Sequence, residues 1–311
     1  MLSHIATNLV TGFLGVGKTS AILHLLAQKP VSENWSVLVN EFGSVGIDGA
    51  IYAAQGIAVK EVPGGCLCCT AGVPLQVAVN QLLRTTRPQR LLIEPTGLGH
   101  PKRVLDTLRG EHFQNVLDLK ASVCLVDPQQ LLDSRYTTHE TFIDQVALAD
   151  VLVANKTDLA TADALRRFDA LADAADPPKS VVARTQFGRL DSGWLEPDAR
   201  ADRKAQHPHH HAQAKDASLA ERDGYQSAGW IFPPESCFDY EQLTACFKQM
   251  EVERSKAVVH TDKGWFVFNG EAGQLDTQAI AASPDSRLEL IGRHLQRQEL
   301  EKQLRGCLIP R

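Results

Sequence analysis

No apolar run in the 311-residue chain reaches the ~20 residues needed to cross a bilayer, so no membrane-spanning segment is expected. The first residues, Met1 to Thr7, lack a charged region followed by a long apolar stretch, so no secretory signal is expected either. Positive charge is not in excess. Thirty-two Lys and Arg stand against 37 Asp and Glu, and the net charge of −5 argues against a broad nucleic-acid-binding surface. No internal repeat of fixed period is visible. Cysteine does not come in an even set. Seven thiols without an export signal read as reduced groups in a cytoplasm, not as a disulfide framework. What remains is an ordinary globular composition, 43% hydrophobic and 22% charged, long enough for about two domains.

Short continuous apolar segments at 5–11, 36–40, 90–94, 121–127 and 151–155 read as buried strands. Helical periodicity lies between them, at 18–28, 75–83 and 160–175. This alternation predicts βαβ units, and so an α/β domain over 1–195 whose mostly parallel sheet is flanked by helices. Residues 196–224 are polar and read as a surface linker or loop. Strands expected at 229–233, 257–260 and 265–269, with helices at 239–250 and 296–307, form a smaller C-terminal α/β domain over 225–311.

Residues 12–19 read Gly-Phe-Leu-Gly-Val-Gly-Lys-Thr, between a predicted strand and a predicted helix. This is the context that a phosphate-binding loop requires. Gly12, Gly15 and Gly17 let the backbone aim N–H groups at phosphate oxygens, and the helix N-terminus adds partial positive charge. Lys18 is expected to reach the β- and γ-phosphates, and the Thr19 hydroxyl to ligate Mg²⁺. Val16 and Ser20 complete the candidate loop.

Asn155, Lys156, Thr157 and Asp158 follow a predicted strand. A carboxylate at Asp158 can accept hydrogen bonds from guanine N1–H and N2–H₂, donors that adenine does not pair, so GTP is preferred over ATP. Glu94 ends the strand at 90–94 and is a candidate to hold Mg²⁺ through water or to orient the attacking water. Asp127 is its rival for the metal, and Gly97 could offer its N–H to the γ-phosphate. The segment Asn40-Glu41-Phe42-Gly43, with Asp48 after it, sits where a γ-phosphate-sensing switch is expected. Asp48 is a third catalytic candidate beside Lys18 and Glu94.

Residues 64–69 read Gly-Gly-Cys-Leu-Cys-Cys. In an extended segment Cys66 and Cys68 point the same way, and Cys69 joins them if the chain bends. Three thiolates leave one position of a zinc tetrahedron open, as suits delivery better than a closed structural site. Buried packing and a redox switch are the alternatives, and ligand type alone does not separate zinc from copper or cobalt. His207, His209, His210 and His211 form a second candidate, an auxiliary site of loosely selective imidazoles for Zn²⁺, Ni²⁺ or Co²⁺. Cys124, Cys237, Cys246 and Cys307 read as packing residues.

Together, TGFLGVGKT at 11–19, NEFG at 40–43 with Asp48, GGCLCC at 64–69, EPTGLGHP at 94–101 and NKTD at 155–158 resemble the CobW-like family of P-loop GTPases, the cobalamin-synthesis-protein and zinc-chaperone group. The resemblance covers the first ~190 residues closely and the C-terminal segment more weakly. It implies a cytoplasmic GTPase that binds zinc or a similar transition metal and delivers it to a client metalloprotein. Where some members carry metal-holding acids beside NEFG, this chain has Val39 and Ser44, so that secondary site is not carried over.

The expected function is therefore slow GTP hydrolysis to GDP and phosphate, coupled to metal delivery. No arginine finger or catalytic glutamine can be assigned. The alternatives are a metal buffer or sensor with incidental hydrolysis, and a small-molecule kinase, against which NKTD argues. No nucleic-acid or membrane partner is expected, and homo-oligomerisation is left open.

Overall fold

The structure is a computed structural model that describes residues 4–39, 47–54, 56–61, 73–207, 220–222, 224–271 and 274–309. The chain divides into two units. In chain order the elements are β1 (Ile5–Gly12), α1 (Lys18–Gln28), β2 (Trp35–Val39), α2 (Ile47–Ala54), β3 (Val59–Glu61), α3 (Val73–Thr86), β4 (Arg90–Glu94), α4 (Pro101–Leu108), β5 (Leu117–Leu119), β6 (Val123–Val126), α5 (Ser134–Thr137), α6 (Glu140–Leu148), β7 (Val151–Ala154), α7 (Ala162–Asp173) and β8 (Val181–Arg184). All of these belong to the first unit except α2, which groups with the second.

The first unit's strands pair in the order β3-β2-β4-β1-β6-β7-β8, with β5 also beside β1. Every pairing is parallel. Such a sheet is covered on both faces, so its strands are apolar without alternation, as in the wholly buried β2 and β4. The helices carry the matching stripe. In α3 the buried residues are Leu75, Ala78, Val79, Leu82 and Leu83, spaced three and four apart. Pro101 opens α4 at its first turn, where its missing N–H costs nothing, and the Thr161 side chain accepts from Ala164 N to cap α7. The strand predicted over 121–127 is shorter, because Asp127 turns to cap the 3-10 turn Pro128–Leu132.

The stretch expected to be a linker is docked as far as residue 207. Arg203 is buried and donates to Asp150 Oδ1 at 2.8 Å and to the carbonyls of Pro177 and Pro178. Ala121 N donates to Pro197 O. A polar segment can pack closely when it brings its own ion pair, and composition alone does not reveal this.

The second unit contains β9 (Ala220–Arg222), β10 (Tyr225–Phe232), α8 (Tyr240–Gln249), β11 (Arg254–Thr261), β12 (Gly264–Glu271), β13 (Gln274–Ala279), β14 (Ser286–Gly292) and α9 (Arg297–Gly306). Its strand order is β13-β12-β11-β14-β10-β9, and all pairings are antiparallel. Alternate residues face the core: Ala228, Trp230 and Phe232 on β10, Ala257 and Val259 on β11, Leu288 and Leu290 on β14. Leu243 and Phe247 of α8 and Leu304 of α9 join the same core. Helix α2 packs on β11 and β14, where the Asp48 carboxylate ion-pairs with Lys256. Lys256 lies opposite Glu289 in the ladder. Burial pushes the Glu289 carboxyl up to about 7, and Ser227 Oγ donates to it at 2.9 Å.

Candidate functional site

Strand β1 ends at Gly12 and α1 begins at Lys18, so the glycine-rich loop lies at the carboxyl end of a central strand, where open α/β sheets bind ligands. Gly17 caps α1 in the left-handed region, with φ of 93°, and a Cβ there would meet Asn155 Nδ2 at 2.7 Å. Lys18 Nζ donates to the carbonyls of Gly12 and Phe13, at 3.0 and 3.1 Å, and so arches over the loop. Gly15 also has positive φ, Val16 is wholly buried, and Ser20 is exposed on the first turn of α1.

Because β4 is the direct neighbour of β1, its last residue, Glu94, comes level with the start of α1. Thr19 Oγ1 donates to Glu94 Oε1 at 2.9 Å, and the Glu94 side chain is buried. A hydroxyl beside a buried carboxylate is a hard-oxygen donor set, and it fits Mg²⁺. The rival acid, Asp127, is placed differently. It accepts from Gln129 N at 3.0 Å and pairs with Lys156 Nζ at 3.3 Å. Of the two acids, Glu94 is the one brought to Thr19.

Three groups brace the loop from outside it. Asn155 Nδ2 donates to Val16 O at 2.8 Å, while Asn155 Oδ1 accepts from Gly188 N at 3.0 Å. Gln130 Nε2 donates to Leu14 O at 3.0 Å. Gly97 approaches so closely that a Cβ would stand 2.8 Å from Leu14 N. Asp158 is exposed one turn beyond Asn155, and Lys156 holds a left-handed backbone with φ of 57°.

Sequence reasoning missed two of these contributors. Gln130 shows no signal, since a buried glutamine in a 3-10 turn has no motif. Gly188 follows β8 in a turn where Phe187 and Gly188 both have positive φ, and only that glycine after a strand could have hinted at it. Thr185 O accepts from Thr157 N and Oγ1, which ties this turn to the NKTD segment.

Asp48 groups with the second unit, where Lys256 answers its charge, so the catalytic set argued below rests on Lys18, Thr19 and Glu94. Cys66, Cys68 and Cys69, with His209, His210 and His211, lie outside the described residues. Among the described residues no three His, Cys, Asp or Glu side chains gather to hold a metal ion. Burial raises the Cys124 and Cys246 thiols to about 11 and about 12, which keeps them protonated as packing groups.

Comparison with known proteins follows the same outline. The CobW/HypB/UreG nucleotide-binding domain family matches residues 6–183, and the cobalamin synthesis protein cobW C-terminal domain family matches residues 227–308. The chain belongs to the CobW family. It is 42% identical over 304 residues to the zinc chaperone YeiR of Escherichia coli, with 92% of each chain covered. It is 24% identical to the zinc-regulated GTPase metalloprotein activator 1 of Schizosaccharomyces pombe, over 95% of this chain and 84% of the relative. A solved structure of the Zn(II)-bound YjiA GTPase of E. coli aligns over 98% of this chain and 99% of that one, at 19% identity and a TM-score of 0.46. In CobW family terms, the first unit is the P-loop GTPase domain, and the antiparallel unit corresponds to the C-terminal domain. No helix among the described residues is long and apolar enough to cross a membrane.

Proposed function

We propose that this CobW-family GTPase is a metallochaperone, which binds zinc or a similar transition metal at Cys66, Cys68 and Cys69 and delivers it to a client metalloprotein under control of GTP. The observation that carries the nucleotide half is the Thr19–Glu94 contact under a phosphate loop braced by Asn155. The metal half is supported by the three clustered thiols in the sequence and by kinship to a protein named a zinc chaperone.

Lys18 exchanges its two loop carbonyls for phosphate oxygens and stabilises charge as the γ-phosphoryl group leaves. Thr19 and Glu94 hold Mg²⁺, which neutralises β- and γ-phosphate charge when bound. Asp158 reads the guanine edge, and Gly97 offers its backbone to the γ-phosphate beside Leu14. With no arginine finger or catalytic glutamine assigned, unstimulated turnover stays below ~1 s⁻¹. Zinc, Co²⁺ or Ni²⁺ is cargo, not part of this chemistry.

The test is zinc affinity of the full chain with a non-hydrolysable GTP analogue, with GDP and without nucleotide, beside a Cys66→Ser/Cys68→Ser/Cys69→Ser variant. Coupled delivery requires affinity to differ between nucleotide states, reciprocally with nucleotide affinity. Equal affinities leave a metal buffer with incidental hydrolysis. A triple variant that keeps all its zinc removes the cysteines from the site.

A further inference from the structure

Helix α6 carries a buried carboxylate that the nucleotide site does not use. The Asp144 side chain is fully buried, and its Oδ1 accepts from Gln206 N at 2.7 Å and from His207 N at 3.2 Å. The same oxygen lies 3.2 Å from His207 Nδ1. Asp144 Oδ2 is buried with no hydrogen-bond partner among the described residues. The His207 side chain is 26% exposed, and its Nε2 makes no hydrogen bond among the described residues.

We propose that Asp144 is a positioning residue that presents His207 Nε2 as a ligand for a divalent transition metal, and that α6 links occupancy of this ligand to the nucleotide loop.

The chemistry is that of a carboxylate–histidine–metal relay. A carboxylate facing Nδ1 selects the tautomer with the proton on Nδ1, turns the ring and leaves the Nε2 lone pair outward and more basic. The imidazole suits borderline ions such as Zn²⁺ and Ni²⁺. The buried charge argues the same way. Asp144 meets two backbone N–H groups and one imidazole, with one oxygen unanswered, and a cation held at His207 supplies the missing positive charge.

The link runs along α6. The next residue, Gln145, is buried and donates Nε2 to Gly97 O at 2.9 Å and to Gly99 O at 3.2 Å. These carbonyls belong to the loop that follows Glu94. One turn earlier, Phe142 packs edge-on against Phe13 of the phosphate loop, with ring centroids 6.4 Å apart. Adjacent residues of one helix thus grip the root of the histidine tract and the loop beside the γ-phosphate position. A shift of either is felt by the other, and the coupling is reciprocal. The nucleotide dependence rests on the function proposed above, whereas metal binding at His207 does not.

The experiment uses the full chain carrying Cys66→Ser/Cys68→Ser/Cys69→Ser, so that the thiols are silent. Zinc affinity is measured by competition with a chromophoric chelator, with GDP and with a GTP analogue, before and after His207→Gln. We expect His207→Gln to weaken zinc binding ~10-fold or more and to abolish a several-fold difference between the two nucleotides. Asp144→Asn should weaken zinc binding by ~10- to 100-fold with His207 still present. If Asp144→Asn does not fold, the His207→Gln comparison decides alone. Equal zinc affinity before and after His207→Gln overturns the site, and equal affinity in both nucleotides overturns the link. Failure of the cysteine reading is seen separately, in the comparison of the native chain with the triple-serine chain.

Discussion

Thr19 Oγ1 lies 2.9 Å from Glu94 Oε1, joining the first turn of α1 to the last residue of β4. The two residues are 75 positions apart, and only the pairing of β1 with β4 makes them neighbours. Glu94→Gln keeps the shape and removes the charge that holds Mg²⁺ or orients water. GTP turnover, followed by phosphate release, should fall at least ~10²-fold, with guanine nucleotide still bound. Turnover within about threefold of the parent would take Glu94 out of the mechanism.

Asn155 serves both the phosphate loop and the turn after β8, through Val16 O and Gly188 N. Asn155→Ala leaves two buried backbone groups unpaired. The expected costs are ~1–3 kcal/mol in urea unfolding and a marked loss of GDP affinity by titration calorimetry. Unchanged GDP affinity would mean that the loop holds its shape without this brace.

Asp150 and Arg203 form an ion pair with both side chains 2% exposed, and Asp150 Oδ2 also accepts from Ser122 N and Oγ. Removing one member leaves a buried charge uncompensated. Asp150→Ala should cost ~3–5 kcal/mol and make residues 197–207 susceptible to limited proteolysis. A melting temperature equal to the parent's would show that this stretch is held by other contacts.

The Glu289 carboxyl is raised from 4.5 to about 7, chiefly by burial. The folded state therefore holds this proton more tightly than the unfolded chain does. Between pH about 4.5 and about 7 the folded form binds more protons, so the stability from this group is full below the lower value and is lost as pH rises through the upper. Glu289→Gln should remove that downward slope, seen as a stability difference between variant and parent that grows with pH across this window. A constant difference would place the folded titration near the ordinary carboxylate range.

The sequence by itself determined the chemistry of the nucleotide site. Gly12 to Thr19 and Asn155 to Asp158 are local devices, in which glycine freedom, a helix N-terminus and one carboxylate do their work within a few residues. It also determined the class of both units, since continuous apolar strands predict a buried parallel sheet. The antiparallel character of the second sheet was less legible, because its polar-facing residues, such as Lys256 and Glu289, are themselves buried and blur the alternation. Tertiary structure alone decided between Glu94 and Asp127, since which strand tip adjoins β1 depends on strand order, not on local pattern. It also decided the bracing by Gln130 and Gly188, the pairing of Asp48 with Lys256 and the anchoring of His207 by Asp144. Each joins residues distant in the chain, and side-chain chemistry acts over a few ångströms that only the folded path can close.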